Sequence, residues 1–248
     1  QFFGIGNAPK LDAPERYDEA AFEVRQTLVI RAIDALRVGV NVHFLHGRID
    51  GFDPNGLLAN SGVRGLGTNT TFGAGPSVNW DTRNSPFWPS EGNLITGDAT
   101  FYSEDIGSDF SFVRLTADAR DYRTLWLGHV LASQVRYEAT TGDTPFHQLA
   151  LLGGTRNHRG WFQGSLRDAQ AALIQFEYRA PIWWRLGATA FFSAGQTMAS
   201  ITDFDPRELR YAAGGGLRFR LNDEGVNVRI DFAFGGRFEL YFQVGEAF

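Results

Sequence analysis

The chain has 248 residues, 29 glycines, 14% aromatics and a formal net charge of −5, with no cysteine. The acidic balance argues against a nucleic-acid binder, and the lack of cysteine excludes a disulfide framework and thiolate chemistry. No run approaches the roughly 18 apolar residues of a membrane-crossing helix. The chain opens on Gln1 rather than Met, which reads as removal of an upstream segment, a signal peptide being the simplest account.

Alternation dominates in chain order. Ala20, Phe22, Val24, Leu28 and Ile30 take one face of a first segment, with Glu23, Arg25, Thr27 and Arg31 on the other and Gln26 as a break. Val38, Val40, Val42 and Phe44 repeat the period of two, which marks extended chain with one apolar face. Residues 47–69 read as a long loop rich in Gly, Asp, Asn and Pro. Phe72, Ala74, Val78 and Trp80 form the next apolar face. The segment Asp81 to Gly92, with two prolines and adjacent aromatics, suits either a tight connection with its rings at a membrane–water boundary or a plain surface loop. Strand-like segments follow near 93–103, 110–121 and 125–138.

Leu151 to Trp161 then interrupts the pattern. Gly153 and Gly154 permit a backbone turn closed to other residues, and His158-Arg159-Gly160-Trp161 sets a permanently charged fork beside a flexible joint. Either Arg159 anchors this loop to a buried carboxylate, or the stretch is an ordinary glycine-rich turn with a solvated arginine. Beyond it the alternation is cleanest. Ala172, Ile174, Phe176 and Tyr178 oppose Gln175, Glu177 and Arg179, and further apolar faces run through Leu186–Ala194, Tyr211–Phe219, Val226–Phe234 and Phe238–Val244. About twelve strands are legible, and no boundary divides residues 1–248 into two domains.

A soluble sandwich also alternates. Three features favour a membrane barrel: strands long enough to cross hydrocarbon, apolar faces free of charge over the last five strands, and opposite faces rich in arginine and carboxylate that suit a polar lumen. Closure also removes sheet edges, whose amides lipid would leave without partners. The expected fold is therefore all-β, a transmembrane antiparallel β-barrel with an inward-folded loop at 151–165.

Four segments carry a family resemblance. Gly153-Gly154 through His158-Arg159-Gly160-Trp161, the turn Asp81-Thr82-Arg83-Asn84-Ser85-Pro86 through Pro89 and Gly92, the opening Phe2-Phe3-Gly4-Ile5-Gly6-Asn7, and the closing Phe238 to Phe248 together resemble the BamA/TamA-like outer-membrane superfamily, also called the bacterial surface antigen family. The resemblance implies a barrel of sixteen strands in the outer membrane of a Gram-negative-type bacterium, with the loop arginine paired to lumen carboxylates. It implies assembly, insertion or export of outer-membrane or surface proteins. The alternative is a structural or pore-forming barrel that anchors a partner subunit or an upstream domain. Periplasmic receptor domains are not legible in this chain.

Carried over by residue, Arg159 matches the loop arginine and Gly160 the glycine beside it. Glu177 matches an inward acid on the following strand, and Ser193 stands where the family has an aspartate. His158 replaces an apolar residue. Glu177, Ser193 and Asp231 are the implied partners of Arg159. Phe238, Leu240, Phe242, Val244 and Phe248 match the closing-strand assembly signal, and the implied partners are outer-membrane lipid and client outer-membrane proteins. No catalytic constellation, cofactor or metal site is expected. His43 and His46 are three apart in a strand and face opposite sides, and the lumen carboxylates suit salt bridges with arginines better than catalysis.

Overall fold

A computed structural model describes residues 1–222 and 225–248. Its wall is one antiparallel sheet of eleven strands, taken in chain order. These are β1 (Asp18–Arg31), β2 (Leu36–Asp50), β3 (Gly67–Asp81), β4 (Gly92–Tyr102), β5 (Phe112–Thr124) and β6 (Val130–Gly142). A connection carrying the short pair β7 (Ala150–Leu152) and β8 (Leu166–Asp168) follows, and then β9 (Gln170–Trp183), β10 (Leu186–Met198), β11 (Arg210–Arg220), β12 (Asn227–Phe234) and β13 (Phe238–Val244) complete the wall. β1 and β13 are the two edges. The approximate sequence count of twelve thus resolves into eleven wall strands and a two-stranded ribbon inside the loop.

The sides of this sheet are inverted relative to a soluble protein. Along β9, Ile174 and Phe176 are 38% and 39% exposed, whereas Gln175 and Glu177 between them are 2% and 0% exposed. β12 repeats this, with Phe232 and Phe234 outward and Arg229 and Asp231 buried. Apolar side chains outside and charges inside are what a hydrocarbon solvent selects, and strands of 11–15 residues in most of the wall are long enough to cross it. The fold is a transmembrane β-barrel wall.

Two boundaries move relative to the sequence reading. β2 runs on to Asp50 because Gly47–Asp50 pair with Asp18–Ala21, and β3 begins at Gly67 opposite Ile49, so the loop shrinks to 51–66. The segment 125–138 is not one strand. β5 extends to Thr124, and the left-handed pair Leu127 (φ 53°) and Gly128 (φ 78°) turns the chain into β6, the backbone that two-residue hairpins favour.

The connection 143–169 folds into the lumen. Ala150, Leu152, Trp161 and Leu166 pack on Ala171, Leu173 and Ala212 of the wall. Small wall residues make the room: a Cβ on Gly195 would sit 2.8 Å from Leu152 Cδ1. At the loop end, Phe2, Ile49, Leu58 and Phe146 form a second apolar cluster. The opening segment belongs to this cap. Asn7 Nδ2 donates to Glu208 O at 2.7 Å, and Asn7 O accepts from Arg210 Nε at 2.8 Å, tying the segment to the β10–β11 connection.

Candidate functional site

The loop tip is shaped by its glycines. Gly153 (φ 108°) and Gly154 (φ 89°) start a tight return in which Gly153 N–H donates to Asn157 O at 2.6 Å and Gly154 N–H to Trp161 O at 2.8 Å. A Cβ on Gly153 would lie 2.2 Å from Phe162 O, so no other residue fits. His158 (φ 76°) is a non-glycine residue in the left-handed region, and its ring stacks on Trp161 with 8° between planes. Gly160 N–H donates to Tyr241 Oη at 3.1 Å, and Trp161 Nε1 donates to Tyr211 O at 3.1 Å. The wall also grips the tip's main chain: Gln175 Nε2 donates to Arg156 O, and Arg229 Nη2 donates to Thr155 O.

These contacts aim Arg159 at two acids. Its Nη2 lies 2.7 Å from Glu177 Oε2 and its Nη1 2.8 Å from Asp231 Oδ2, with all three side chains at most 1% exposed. The guanidinium carbon stands 3.6 Å over the Phe191 ring, adding a cation–π contact. Two glycines of β11 clear the space. A Cβ on Gly214 would collide with Phe191 Cζ at 2.4 Å, and one on Gly216 with Asp231 Oδ1 at 2.2 Å. Ser193 does not contact Arg159; it lies 2.9 Å from His158 Nδ1. Where an aspartate would add charge, this chain has a neutral bond between serine and histidine.

Three further arginines complete the cluster, and none was singled out from sequence. Arg179 Nε is 2.9 Å from Glu177 Oε1, and Arg229 Nη1 is 3.0 Å from Asp231 Oδ2. Arg218 reaches Glu177, Asp231 and Glu246 at 3.3, 2.5 and 3.1 Å. Arg218 stands directly opposite Arg229 across β11 and β12. That like-charge pairing is unfavourable alone and is tolerated because Asp231 bonds to both. The missed signal was a spacing of two: Glu177 with Arg179, and Arg229 with Asp231, share one face of one strand by the strand's own period. The same spacing pairs Asp118 with Arg120 and Arg136 with Glu138 on β5 and β6.

Burying so many charges is costly in desolvation and tolerable only when nearly every one is paired. Such a network fixes geometry more than it adds stability. The Ser193 hydroxyl beside the His158 ring is sealed from solvent, at 2% and 0% exposure, and among the described residues no group of acids and histidines is arranged to hold a metal ion.

A family model described as the Omp85 superfamily domain matches residues 8–248. The chain belongs to the Omp85 superfamily. Two solved structures share its fold. BamA from Haemophilus ducreyi lacking POTRA domains 1–3 has a TM-score of 0.68 at 15% identity, covering 93% of this chain and 54% of that one. CdiB from Acinetobacter baumannii has a TM-score of 0.58 at 14% identity, covering 96% of this chain and 44% of that one. The chain thus spans about half the length of either relative. No curated protein sequence matches it.

Two segments of this Omp85 chain gain a definite place. In the Asp81–Gly92 turn, Trp88 and Pro89 point into the lumen. Asp81 and Arg83 form a two-bond ion pair, and the turn folds inward until Trp88 lies 5.0 Å from the Arg179 guanidinium and Pro89 O accepts from Arg179 Nη1 at 3.1 Å. The closing strand also divides. Phe238, Leu240, Phe242 and Val244 face outward, but Phe248 is 4% exposed inside the lumen, packed with Tyr122 and Ala132.

Burial holds the His158 ring well below its ordinary 6.5, at about 4. A base with a depressed folded value stabilises the fold fully above its unfolded value and progressively less below it. Loop stability is therefore expected to fall as pH drops from 6.5 toward 4, by about 3 kcal/mol at most. Protease cleavage within 153–163 should accelerate over that window in the parent protein. His147, in the same connection, is likewise held at about 4 by burial, so the acceleration should shrink rather than vanish in His158→Asn, which tolerates the left-handed backbone; an equal pH response in that variant would refute the assignment.

Proposed function

We propose that this barrel acts in the outer membrane of a Gram-negative-type bacterium, in the insertion, assembly or export of outer-membrane or surface proteins, with the loop 151–165 as its internal organiser. The observation that supports this reading is the buried contact of Arg159 with Glu177 and Asp231. It joins the loop motif to β9 and to β12, the neighbour of edge strand β13. In this reading Gly153, Gly154, His158, Gly160 and Trp161 shape the loop, Glu177 and Asp231 hold its arginine, and Ser193 orients His158. The outward residues Phe238, Leu240, Phe242 and Val244 serve as the closing-strand signal, together with Phe248. Clients and membrane lipid are the partners, and no enzymatic step is assigned.

The second reading is a structural barrel that anchors a partner, and the extent of the buried network supports it, since four arginines tie the lumen together among the described residues. The full-length protein reconstituted in vesicles separates the two. Under the first reading, client insertion is lost in Arg159→Ala and reduced in Arg159→Lys, which keeps the charge but not the two-acid fork, while both variants still migrate as folded barrels on unheated detergent gels. Full insertion activity in folded Arg159→Ala would sink the first reading.

A further inference from the structure

A second group of arginines lines a cavity of about 380 Å³, enclosed by the 81–92 turn, β5, β6, the loop tip and residues 245–248. Arg83 of the turn, Arg120 of β5, Arg136 of β6 and Arg156 of the loop all contribute to its lining. The first three are anchored from behind. Arg83 donates through Nε and Nη2 to Asp81, both at 2.9 Å, and Arg120 through the same atoms to Asp118 at 2.8 and 3.2 Å. Arg136 reaches Asp118 at 3.2 Å and Glu138 at 3.1 Å, and Glu138 is shared with Arg114. A guanidinium carries five N–H donors, so these pairs leave donors over, and the three side chains remain 14%, 25% and 22% exposed. Arg156 differs. Its main chain is fixed, since Arg156 O accepts from Gln175 Nε2 at 2.9 Å, but its exposed side chain has no acid partner among the described residues. Glu246, the one acid in the lining, is turned to Arg218 and Asn227.

We propose that this cavity is a binding site for a soluble, multiply charged phosphate-type anion. Four guanidiniums around one space repel one another, and the carboxylates behind them, Asp81, Asp118 and Glu138, are shared with Arg114 as well. A bound anion removes that imbalance. Guanidinium forks match the paired oxygens of a phosphate, and such charge-assisted bonds are roughly twice as strong as neutral ones. The space is too wide for one small ion to touch all four forks, which favours an anion with two or more charged groups, such as a diphosphate. The wall keeps lipid away from it: Leu115 of β5 and Val135 of β6 point outward, 42% and 55% exposed, so the anion arrives from the aqueous lumen. Arg156 gives the site a structural consequence. An anion shared by Arg156, Arg120 and Arg136 bridges the loop tip to β5 and β6, strands that Arg159 does not touch.

Titration calorimetry of the full-length protein in a nonionic detergent, with inorganic pyrophosphate as the probe, tests the site. Saturable binding of one pyrophosphate per chain is expected. Arg156→Ala should weaken it about tenfold or more, the scale of losing one hydrogen bond to a charged group. Arg156→Lys, which keeps the charge but not the fork, should weaken it less. Arg31→Ala, at an exposed arginine paired with Asp34, should bind as the parent does. Pyrophosphate should also slow chymotrypsin cleavage within 153–163 in the parent protein, because a ligand of the folded loop opposes its opening. Absence of saturable binding overturns the proposal, as does parental affinity in Arg156→Ala that still migrates as a folded barrel on unheated gels. Equal weakening by Arg31→Ala would show diffuse surface charge rather than a site. Competition by vesicles containing phosphatidylglycerol, but not by vesicles of phosphatidylcholine alone, would assign the forks to a lipid headgroup and overturn the soluble anion. Binding without protection of the loop overturns the bridge. No client enters these measurements, so failure here is distinct from failure of the function proposed above.

Discussion

Glu177→Ala is expected to destabilise the full-length barrel by at least about 3–5 kcal/mol, the cost of breaking a buried ion pair by removing one partner. The carboxylate is fully buried and touches Arg159, Arg179 and Arg218 at once. Removing it leaves four arginines facing Asp231 and Glu246 alone. Glu177→Gln keeps the shape and one acceptor, so its cost should be smaller but of the same sign. Denaturant unfolding in detergent, followed by tryptophan fluorescence, measures both. The ordering Ala worse than Gln, with each well above 1 kcal/mol, is the expected result. A cost below 1 kcal/mol for Glu177→Ala would mean that the guanidiniums are hydrated and that the cluster does not hold the loop.

Gly160→Val is expected to be the other severe change. Gly160 has φ 100°, and an added Cβ would stand 2.8 Å from Phe234 C and 3.0 Å from Gly235 N. Both atoms are backbone of the β12–β13 hairpin, so neither can rotate away. The left-handed backbone costs a side chain about 1–2 kcal/mol and the forced overpacking another 1–3 kcal/mol. A β-branched residue at positive φ worsens both. Gly154→Ala is the matched comparison: its Cβ would meet only the flexible Gln163 side chain, at 3.2 Å, leaving mainly the backbone cost. Protease sensitivity of the loop should therefore rise sharply for Gly160→Val and modestly for Gly154→Ala. Equal sensitivity would mean that the loop does not pack on the hairpin as described.

The closing strand and the loop place different demands on sequence reading. The outward row Phe238, Leu240, Phe242 and Val244 is legible because a strand's side chains alternate without exception while the strand lasts. The sequence assigned Phe248 to the closing-strand signal without deciding which way it faces. The left-handed turn at Gly245 ends that rule, and the aromatic goes inside. Arg159 and its two acids were legible only through the family resemblance, since nothing local links positions 159, 177 and 231. The i, i+2 pairs of the lumen were open to direct reading and were passed over. The turn at 81–92 could not be placed, because its inward fold depends on Arg179, which lies 90 positions from Pro89.

By itself, the sequence determined the strands, which face of each meets lipid, and the presence of a rigid glycine-bound loop, because these follow from periods of two and from local backbone freedom. Tertiary structure alone decided which charges of different strands and of the loop meet. Curving the sheet around a lumen brings β5, β9, β11, β12, the loop tip and the last residues to one point, and a buried charge takes whatever opposite charge that curvature delivers, since leaving it unpaired costs more than any local preference can return.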